Sequence, residues 1–275
     1  MQPFSIHPVT PAIGAEIRGL DLAGDLDDAC IQALREAWLE HVVLFLRDQH
    51  LSAEQHVSLA CRFGEPHLPA VTTRHGGPPE LVVLNQTSPR GDGADRWHSD
   101  EAYLPEPPMG TILKAVQLPE VGGDTLFANM AVAYDSLPSS LKDEIDGLQA
   151  VNDITPAAER AIAGGHMEAD LTELQKAFPP CVHPVVRTHP ETGRKTLYVN
   201  TNATTRIVGL SKAESDRLLS LLFSQATSPD VQCRFRWREG SVAFFDNRAA
   251  QHYAVPDYTT RRVMHRVTIR GDKPF

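Results

Sequence analysis

The sequence has few cysteines, no long apolar run and a shortage of positive charge. Its four cysteines include no C-x-x-C pair, which argues against a zinc knuckle or a thioredoxin-type motif. No apolar stretch reaches the roughly 18–20 residues that span a bilayer, so we expect no membrane segment. The sequence has 26 Lys and Arg residues and 35 Asp and Glu residues, which gives a net charge of −9. Nucleic acid is not expected as a partner, because its phosphates require clustered basic residues.

The N-terminal residues do not combine a basic start with an apolar core, so the sequence predicts no secretory signal. A chain of 275 residues can bury a core without disulfides, and we expect reduced thiols in a cytoplasmic protein. The apolar fraction of 41% and the charged fraction of 22% are ordinary for a globular protein. Collagen-like, coiled-coil and disordered chains are therefore excluded.

The predicted elements are mainly β-strands. The first fifty residues predict strand, helix and strand, and Ser52 with Gln55 has the form of a capping box that starts a second helix. Later strands are predicted at 81–85, 111–118, 125–128, 182–188, 197–199, 232–237, 242–246 and 263–270. Helical stretches are predicted near 130–148 and from Ser211. Because no regular βαβ alternation is present, this pattern favours a barrel or sandwich over a doubly wound sheet.

We expect one domain over residues 1–275, since the sequence shows no repeat, low-complexity tract or linker. An Ala-rich, charged segment at 155–180 is split by Gly164 and Gly165. It predicts two short helices with a hinge between them. Such a segment is either a lid over a site or a plain surface insertion.

A His-x-Asp pair, His98 and Asp100, suggests half of a metal site. In an extended chain, residues two apart point to the same side, so both could reach one ion. The pair is common by chance, and a second, distant histidine is required. His252, at a predicted strand-to-loop transition, is the candidate. His265 alternates with apolar residues in a strand, which is typical of a packed histidine.

Two histidines and one carboxylate on one face leave coordination positions open, as in non-heme Fe(II) oxygenases. Zinc sites more usually have three His or His/Cys ligands or a His-Glu-x-x-His helix, and that helix motif is absent from the sequence.

The strand predicted at 263–270 concentrates positive charge on one face. Its apolar face carries Val263, His265, Val267 and Ile269. The opposite face carries a different set of side chains: Arg262, Met264, Arg266, Thr268 and Arg270. Either these arginines stand in water, or they lie inside a barrel and bind anions. Arginine grips a carboxylate or sulfonate through two hydrogen bonds, whereas a buried arginine without an anion is costly, so the interior alternative predicts anionic ligands.

Several ordered blocks resemble the taurine dioxygenase family of Fe(II)- and 2-oxoglutarate-dependent oxygenases. That family also includes phenoxyacetate-herbicide dioxygenases and alkylsulfatases. The blocks are 13–17, 43–49, 62–65, 97–100, 122–126, 183–190 and 246–275. The likeness covers nearly the whole chain, and it implies a mainly β fold with flanking helices (α+β), a double-stranded β-helix or jelly roll.

The resemblance also implies a role for individual residues. Three would be the iron ligands: His98, Asp100 and His252. Arg262 would bind the distal carboxylate of 2-oxoglutarate, with Thr125 beside it. Arg266 matches the position that pairs with the sulfonate in taurine enzymes.

The implied reaction uses O₂ to oxidise a C–H bond and couples this to decarboxylation of 2-oxoglutarate, with release of succinate and CO₂. The expected substrate is small and anionic: a taurine-like sulfonate, an alkyl sulfate, or an aryloxy or carboxylic acid. Relatives are often dimers or tetramers, so we expect a homo-oligomer. A zinc-dependent hydrolase with the same three ligands and a non-catalytic jelly-roll metal-binding protein are the alternatives.

The substrate pocket departs from that of taurine enzymes. Pro69 stands where a histidine contacts the sulfonate, and His67 is offset from that place by two residues. Thr72 and Ala94 replace aromatic and amide residues, and Ala203 replaces a phenylalanine. We therefore expect a roomier pocket and an acidic substrate other than taurine.

Overall fold

The computed structural model describes residues 3–68, 77–87, 90–91 and 93–275. The strands of the described residues are β1 Ser5–Pro8, β2 Ala15–Arg18, β3 Val43–Leu46, β4 Val82–Gln86, β5 Gly110–Gln117, β6 Thr125–Asn129, β7 Gln149–Asn152, β8 Cys181–Pro184, β9 Val186–Thr188, β10 Lys195–Leu197, β11 Thr204–Ile207, β12 Gln232–Phe235, β13 Val242–Asp246, β14 Ala250–Ala254 and β15 Arg262–Ile269. The helices are α1 Asp28–His41, α2 Ala53–Cys61, α3 Met130–Asp135, α4 Ser139–Ile145, α5 Thr155–Ala163, α6 Leu171–Ala177 and α7 Lys212–Gln225, with a short 3₁₀ turn at Pro229–Val231. None of these helices is long and apolar enough to cross a membrane.

Two sheets, antiparallel except for the parallel pair β2 and β3, face each other and form the frame of the molecule. The larger has seven strands in the order β1-β2-β3-β13-β5-β15-β4, and the smaller has the order β12-β6-β14. Side chains from both sheets share one buried cluster, in which Phe45 of the large sheet stacks on Phe235 of the small sheet at 4.0 Å between ring centroids. This arrangement is the jelly roll with flanking helices that the sequence predicts.

Strand β13 shows why the large sheet is buried on both faces. Successive side chains point to opposite faces of a strand. Phe245 therefore joins the cluster between the sheets, while Phe244 packs outward under helix α1. There its ring stacks on Trp38 at 4.3 Å between centroids. The same alternation in β15 turns Val267 and Ile269 outward, toward the helices.

Some predicted elements differ from the structure. The helical stretch near 130–148 is two helices, α3 and α4, because Pro138 lies between them and disfavours a helical residue before it. The strand at 182–188 is divided into β8 and β9 at Val185. Strands β7 and β11 were not predicted, since each has only four residues and they pair with each other across a long stretch of the chain.

The two short helices predicted within 155–180 are present as α5 and α6. Helix α5 ends where the chain reaches Gly164 and Gly165, and Gly165 takes a positive φ of 75°. Ile154, Ala158 and Leu174 pack into a small cluster with Tyr103. The single domain over 1–275 and the movement of this segment as a lid stay predictions.

A buried ionic network closes the turn between β13 and β14. The Arg248 side chain, 3% exposed, donates to both carboxylate oxygens of Asp246, with Nε–Oδ1 at 2.9 Å and Nη2–Oδ2 at 2.7 Å. Arg248 also donates to Glu191 at 2.6 Å, and His189 lies 3.0 Å from Asp246. The network fixes the start of β14.

We expect Arg248→Met to lower the free energy of unfolding by about 3–5 kcal/mol, because it leaves the Asp246 carboxylate buried without its main partner. Urea unfolding measures the change. Arg194→Met is the control, since it removes an exposed ion pair with Asp135 and is expected to cost at most about 1 kcal/mol. Equal losses in the two variants would contradict the assignment.

Candidate active site

Backbone pairing places two of the predicted metal ligands side by side. The N–H of His98 donates to the carbonyl of His252 at 3.1 Å, and the reverse bond is 2.8 Å. The two imidazole centroids are 4.1 Å apart. His252 lies within β14, so its predicted position at a strand-to-loop transition was wrong. The cause is the turn at Asn247, which is tight enough for the next strand to begin before His252.

Asp100 completes this group. One ligand atom from each of His98, Asp100 and His252 lies within 4.8 Å of the others. Asp100 Oδ1 is 3.9 Å from His252 Nε2. All three side chains are buried. Two imidazoles and one carboxylate on one wall of a cavity form the donor set that Fe(II) takes in non-heme oxygenases, so the residues present fit such an ion.

Hydrogen bonds from neighbouring side chains reach both oxygens of the Asp100 carboxylate. Thr111 Oγ1 donates to Asp100 Oδ2 at 2.6 Å. Asn247 accepts from the Asp100 N–H at 3.2 Å and donates to Thr111 Oγ1 at 2.9 Å. Arg266 donates to the other oxygen, Oδ1, at 3.2 Å. Oδ2 is thus occupied, and Oδ1 is the oxygen that faces His252.

Charge and burial set the ionisation of the ligands. Burial alone would raise the pKa of Asp100, but Arg266 and the two histidines outweigh it and hold the pKa well below its usual range. Burial, with the neighbouring His98, lowers the pKa of His252 to about 3. His98 Nδ1 lies 2.7 Å from the Arg96 carbonyl, so Nδ1 faces the backbone and Nε2 is the ring nitrogen available to a metal. An ionised Asp100 and a neutral His252 are the forms in which these two residues bind a metal.

Arg262 lies in a separate buried corner of the site. It is 5% exposed, and its guanidinium carbon is 6.0 Å from the Trp237 ring and 5.9 Å from the Tyr258 ring. Thr125 Oγ1 accepts a hydrogen bond from Trp237 Nε1 at 2.9 Å. Gly123 leaves room for this corner, because a Cβ there would come 3.3 Å from Arg262 Cδ.

A cavity of about 300 Å³ joins these parts. All six predicted site residues line it: His98, Asp100, Thr125, His252, Arg262 and Arg266. The structure therefore places the Arg262 and Arg266 side chains toward the interior. Arg270 lies beyond the end of β15, exposed and paired with Glu65, and His265 lies on the opposite face of the strand from the cavity.

Sequence reasoning missed several residues of this site. Thr111 and Asn247 gave no signal, because neutral residues far apart in the chain meet only when the strands pair. Glu101 also lines the cavity, and its positive φ of 47° is unusual for a residue other than glycine. His67 Nε2 lies 3.0 Å from Glu101 Oε2, which links the offset histidine to the cavity wall.

The predicted changes in the substrate pocket have different outcomes. Ala94 lines the cavity. Ala203 is buried, but it is not among the lining residues. Pro69 and Thr72 lie outside the described residues.

The geometry agrees with what comparison with known proteins finds. Residues 5–268 match the family described as taurine catabolism dioxygenase TauD, TfdA family. The chain belongs to this family. As a TauD, TfdA family member it is an enzyme of the 2-oxoglutarate-dependent dioxygenase class.

Two curated relatives and one solved structure show the extent of the likeness. An alpha-ketoglutarate-dependent sulfate ester dioxygenase of Pseudomonas putida is 38% identical over 98% of this chain and 91% of its own. An (S)-phenoxypropionate/alpha-ketoglutarate-dioxygenase of Sphingobium herbicidovorans is 35% identical over 98% of this chain and 96% of its own. The crystal structure of a taurine dioxygenase from Burkholderia xenovorans superposes with a TM-score of 0.84 at 36% identity, covering 99% of this chain and 91% of its own.

We expect Thr111→Val to weaken binding of Fe(II) or Mn(II) by roughly 10- to 100-fold, because the Asp100 carboxylate loses the donor that orients it. Calorimetric titration of the metal without O₂ measures the affinity. Thr111→Ser keeps the hydroxyl and is the matched control, expected to stay near the original affinity. Equal affinities for the Val and Ser variants would show that the hydroxyl does not orient the carboxylate.

Proposed function

We propose that this enzyme hydroxylates a C–H bond of a small organic anion, with Fe(II), 2-oxoglutarate and O₂. The observation that carries the proposal is the cavity in which a His-Asp-His group and two inward arginines meet. A metal site alone fits many reactions. Two separate arginines beside it fit a reaction with two anionic ligands, which are the cosubstrate and the substrate.

In this proposal three residues of one cavity wall would hold the iron: His98, Asp100 and His252. The bound metal supplies the binding and activation of O₂ together with the 2-oxo acid. The chain supplies geometry and charge. Thr111 and Asn247 keep Asp100 oriented, and burial of the three ligands limits access of water.

Arg262 is assigned to the distal carboxylate of 2-oxoglutarate. Its guanidinium is buried between two aromatic rings, where a charged hydrogen bond is strong because little water competes for it. Thr125, held by Trp237, lines the same part of the cavity. This corner sets the direction in which the 2-oxo group approaches the metal.

Arg266 is assigned to the anion of the substrate. Its side chain is 20% exposed and reaches Asp100 Oδ1 with one nitrogen. Its Nε is buried and has no hydrogen-bond partner within the described parts of the chain. A substrate sulfate, sulfonate or carboxylate would satisfy that donor. Holding the anion there sets which carbon faces the metal, and a displacement of about 1 Å costs roughly 100-fold in rate.

The relatives favour this proposal over the alternatives. The two relatives described above are named as dioxygenases of sulfate esters and of phenoxypropionate. A structural metal protein would leave the two inward arginines without a role. We further propose a cytoplasmic homo-oligomer. The four unpaired cysteines suit a reducing compartment.

The function is tested by adding Fe(II) and 2-oxoglutarate without O₂, then O₂ and a panel of alkyl sulfates, sulfonates and aryloxy acids. We expect a weak visible charge-transfer band, followed by succinate release. His252→Ala should lose both, because one metal ligand is gone. His265→Ala is the control, since its ring lies on the other face of β15. Undiminished turnover in His252→Ala would disprove the metal site.

Replacing Arg262 and replacing Arg266 should have different kinetic effects. Arg262→Leu is expected to raise the 2-oxoglutarate requirement by about 30-fold or more, as loss of a buried charge partner does. Arg266→Gln should leave that requirement near its original value and lose turnover of the anionic substrate, while slow decay of 2-oxoglutarate continues. Each variant is the control for the other in assays of succinate release. The assignment would be refuted if the two variants had the same effect on the 2-oxoglutarate requirement and on turnover of the anionic substrate.

A further inference from the structure

Helix α5 presents its smallest side chains to the cavity. Ala157, Ala158 and Ala161 line the cavity from this helix, with Ile154 just before the helix and Met167 after it. Residues at i, i+1 and i+4 lie on one side of a helix. Alanine extends only one carbon from the backbone, so this wall lies as far back from the cavity as a residue with a Cβ allows.

This wall is anchored to the rest of the molecule. Arg160 Nη2 donates to Asn202 Oδ1 at 2.7 Å and to the Asn202 carbonyl at 3.3 Å. His166 Nε2 is 2.8 Å from the Arg90 carbonyl. Ala158 is also packed in the small cluster that contains Tyr103. In the structure these contacts hold the wall at its distance from the metal ligands, so it can select ligands by size.

The surfaces opposite α5 are also apolar. Leu84, Leu113 and Phe245 line the cavity from the large sheet. Among the lining residues of the described chain, positive charge comes from Arg262 and Arg266. With Arg262 assigned to the cosubstrate, the ligand that fits the remaining space has an anionic head at Arg266 and a hydrocarbon body against α5.

We propose that the alanine face of α5 sets the permitted size of the substrate's hydrocarbon body, and that the substrate is an alkyl or aryl anion with such a body. This inference rests on the proposed function, because Arg266 must hold the anionic head. Ala157 and Ala161, one turn apart, are the specificity-determining positions.

The test compares Ala161→Leu with Ala163→Leu. Both changes add the same atoms to α5, but Ala161 is buried at the cavity and Ala163 is exposed. The enzyme loaded with Mn(II) and 2-oxoglutarate is titrated without O₂ with linear alkyl sulfates from ethyl to octyl, and with phenyl sulfate as the aryl arm. Succinate release from the same compounds is measured with Fe(II) and O₂.

We expect the affinity of the original enzyme to rise with chain length up to a limit. Ala161→Leu should weaken binding of the longest well-bound sulfates by about 10-fold or more and leave ethyl sulfate nearly unchanged. Ala163→Leu should follow the original profile. Thermal melting checks that each variant is folded. If Ala161→Leu is not folded, Ala157→Val tests the same wall of the cavity with a smaller added side chain.

Coincident length profiles for Ala161→Leu and Ala163→Leu would overturn the proposal, as would an affinity of the original enzyme that does not depend on length. The binding arm separates this result from the parent function. Length-dependent binding without succinate release would refute the oxygenation and leave the role of α5 intact. Succinate release that is equal for all chain lengths would support the oxygenation and refute the role of α5.

Discussion

The carboxylate of Asp100, buried between two β-sheets, is the constraint on which the site depends. An ionised carboxyl group in an apolar interior is unstable unless charges and donors surround it. Here Thr111, Asn247 and Arg266 supply them. Each comes from a different part of the chain, so the carboxylate keeps its place only in the complete fold. The arrangement also leaves one oxygen facing His252, where a divalent cation would add the strongest stabilisation.

The apolar faces of the strands determine the positions of the polar ones. In β15, Val267 and Ile269 are buried against the helices, and this fixes the strand's register. A shift by one residue would turn them toward the space between the sheets and would turn Arg262 and Arg266 away from the cavity. The two arginines are four residues apart, which corresponds to about 13 Å along a strand. Two anionic ligands can therefore bind without sharing a cation.

Different walls of the cavity contribute different chemical groups. His252, Arg262 and Arg266 come from strands β14 and β15, and His98 is joined to β14 by backbone hydrogen bonds with His252. The apolar limit comes from α5, which belongs to the helical segment between β7 and β8. Such a division allows the size of the substrate to change without movement of the metal ligands. It is consistent with relatives named for substrates as different as sulfate esters and phenoxypropionate.

Local sequence patterns predict the mainly β fold, the His98–Asp100 pair and the charged face of β15, because period-two alternation and spacing of two residues are local properties. The resemblance of ordered blocks added the roles of His252 and of the arginines. The tertiary structure was needed to show that Thr111 and Asn247 orient Asp100 and that Glu101 and Ala161 face the cavity. Those contacts join residues distant in the chain, and no local pattern encodes which strands pair.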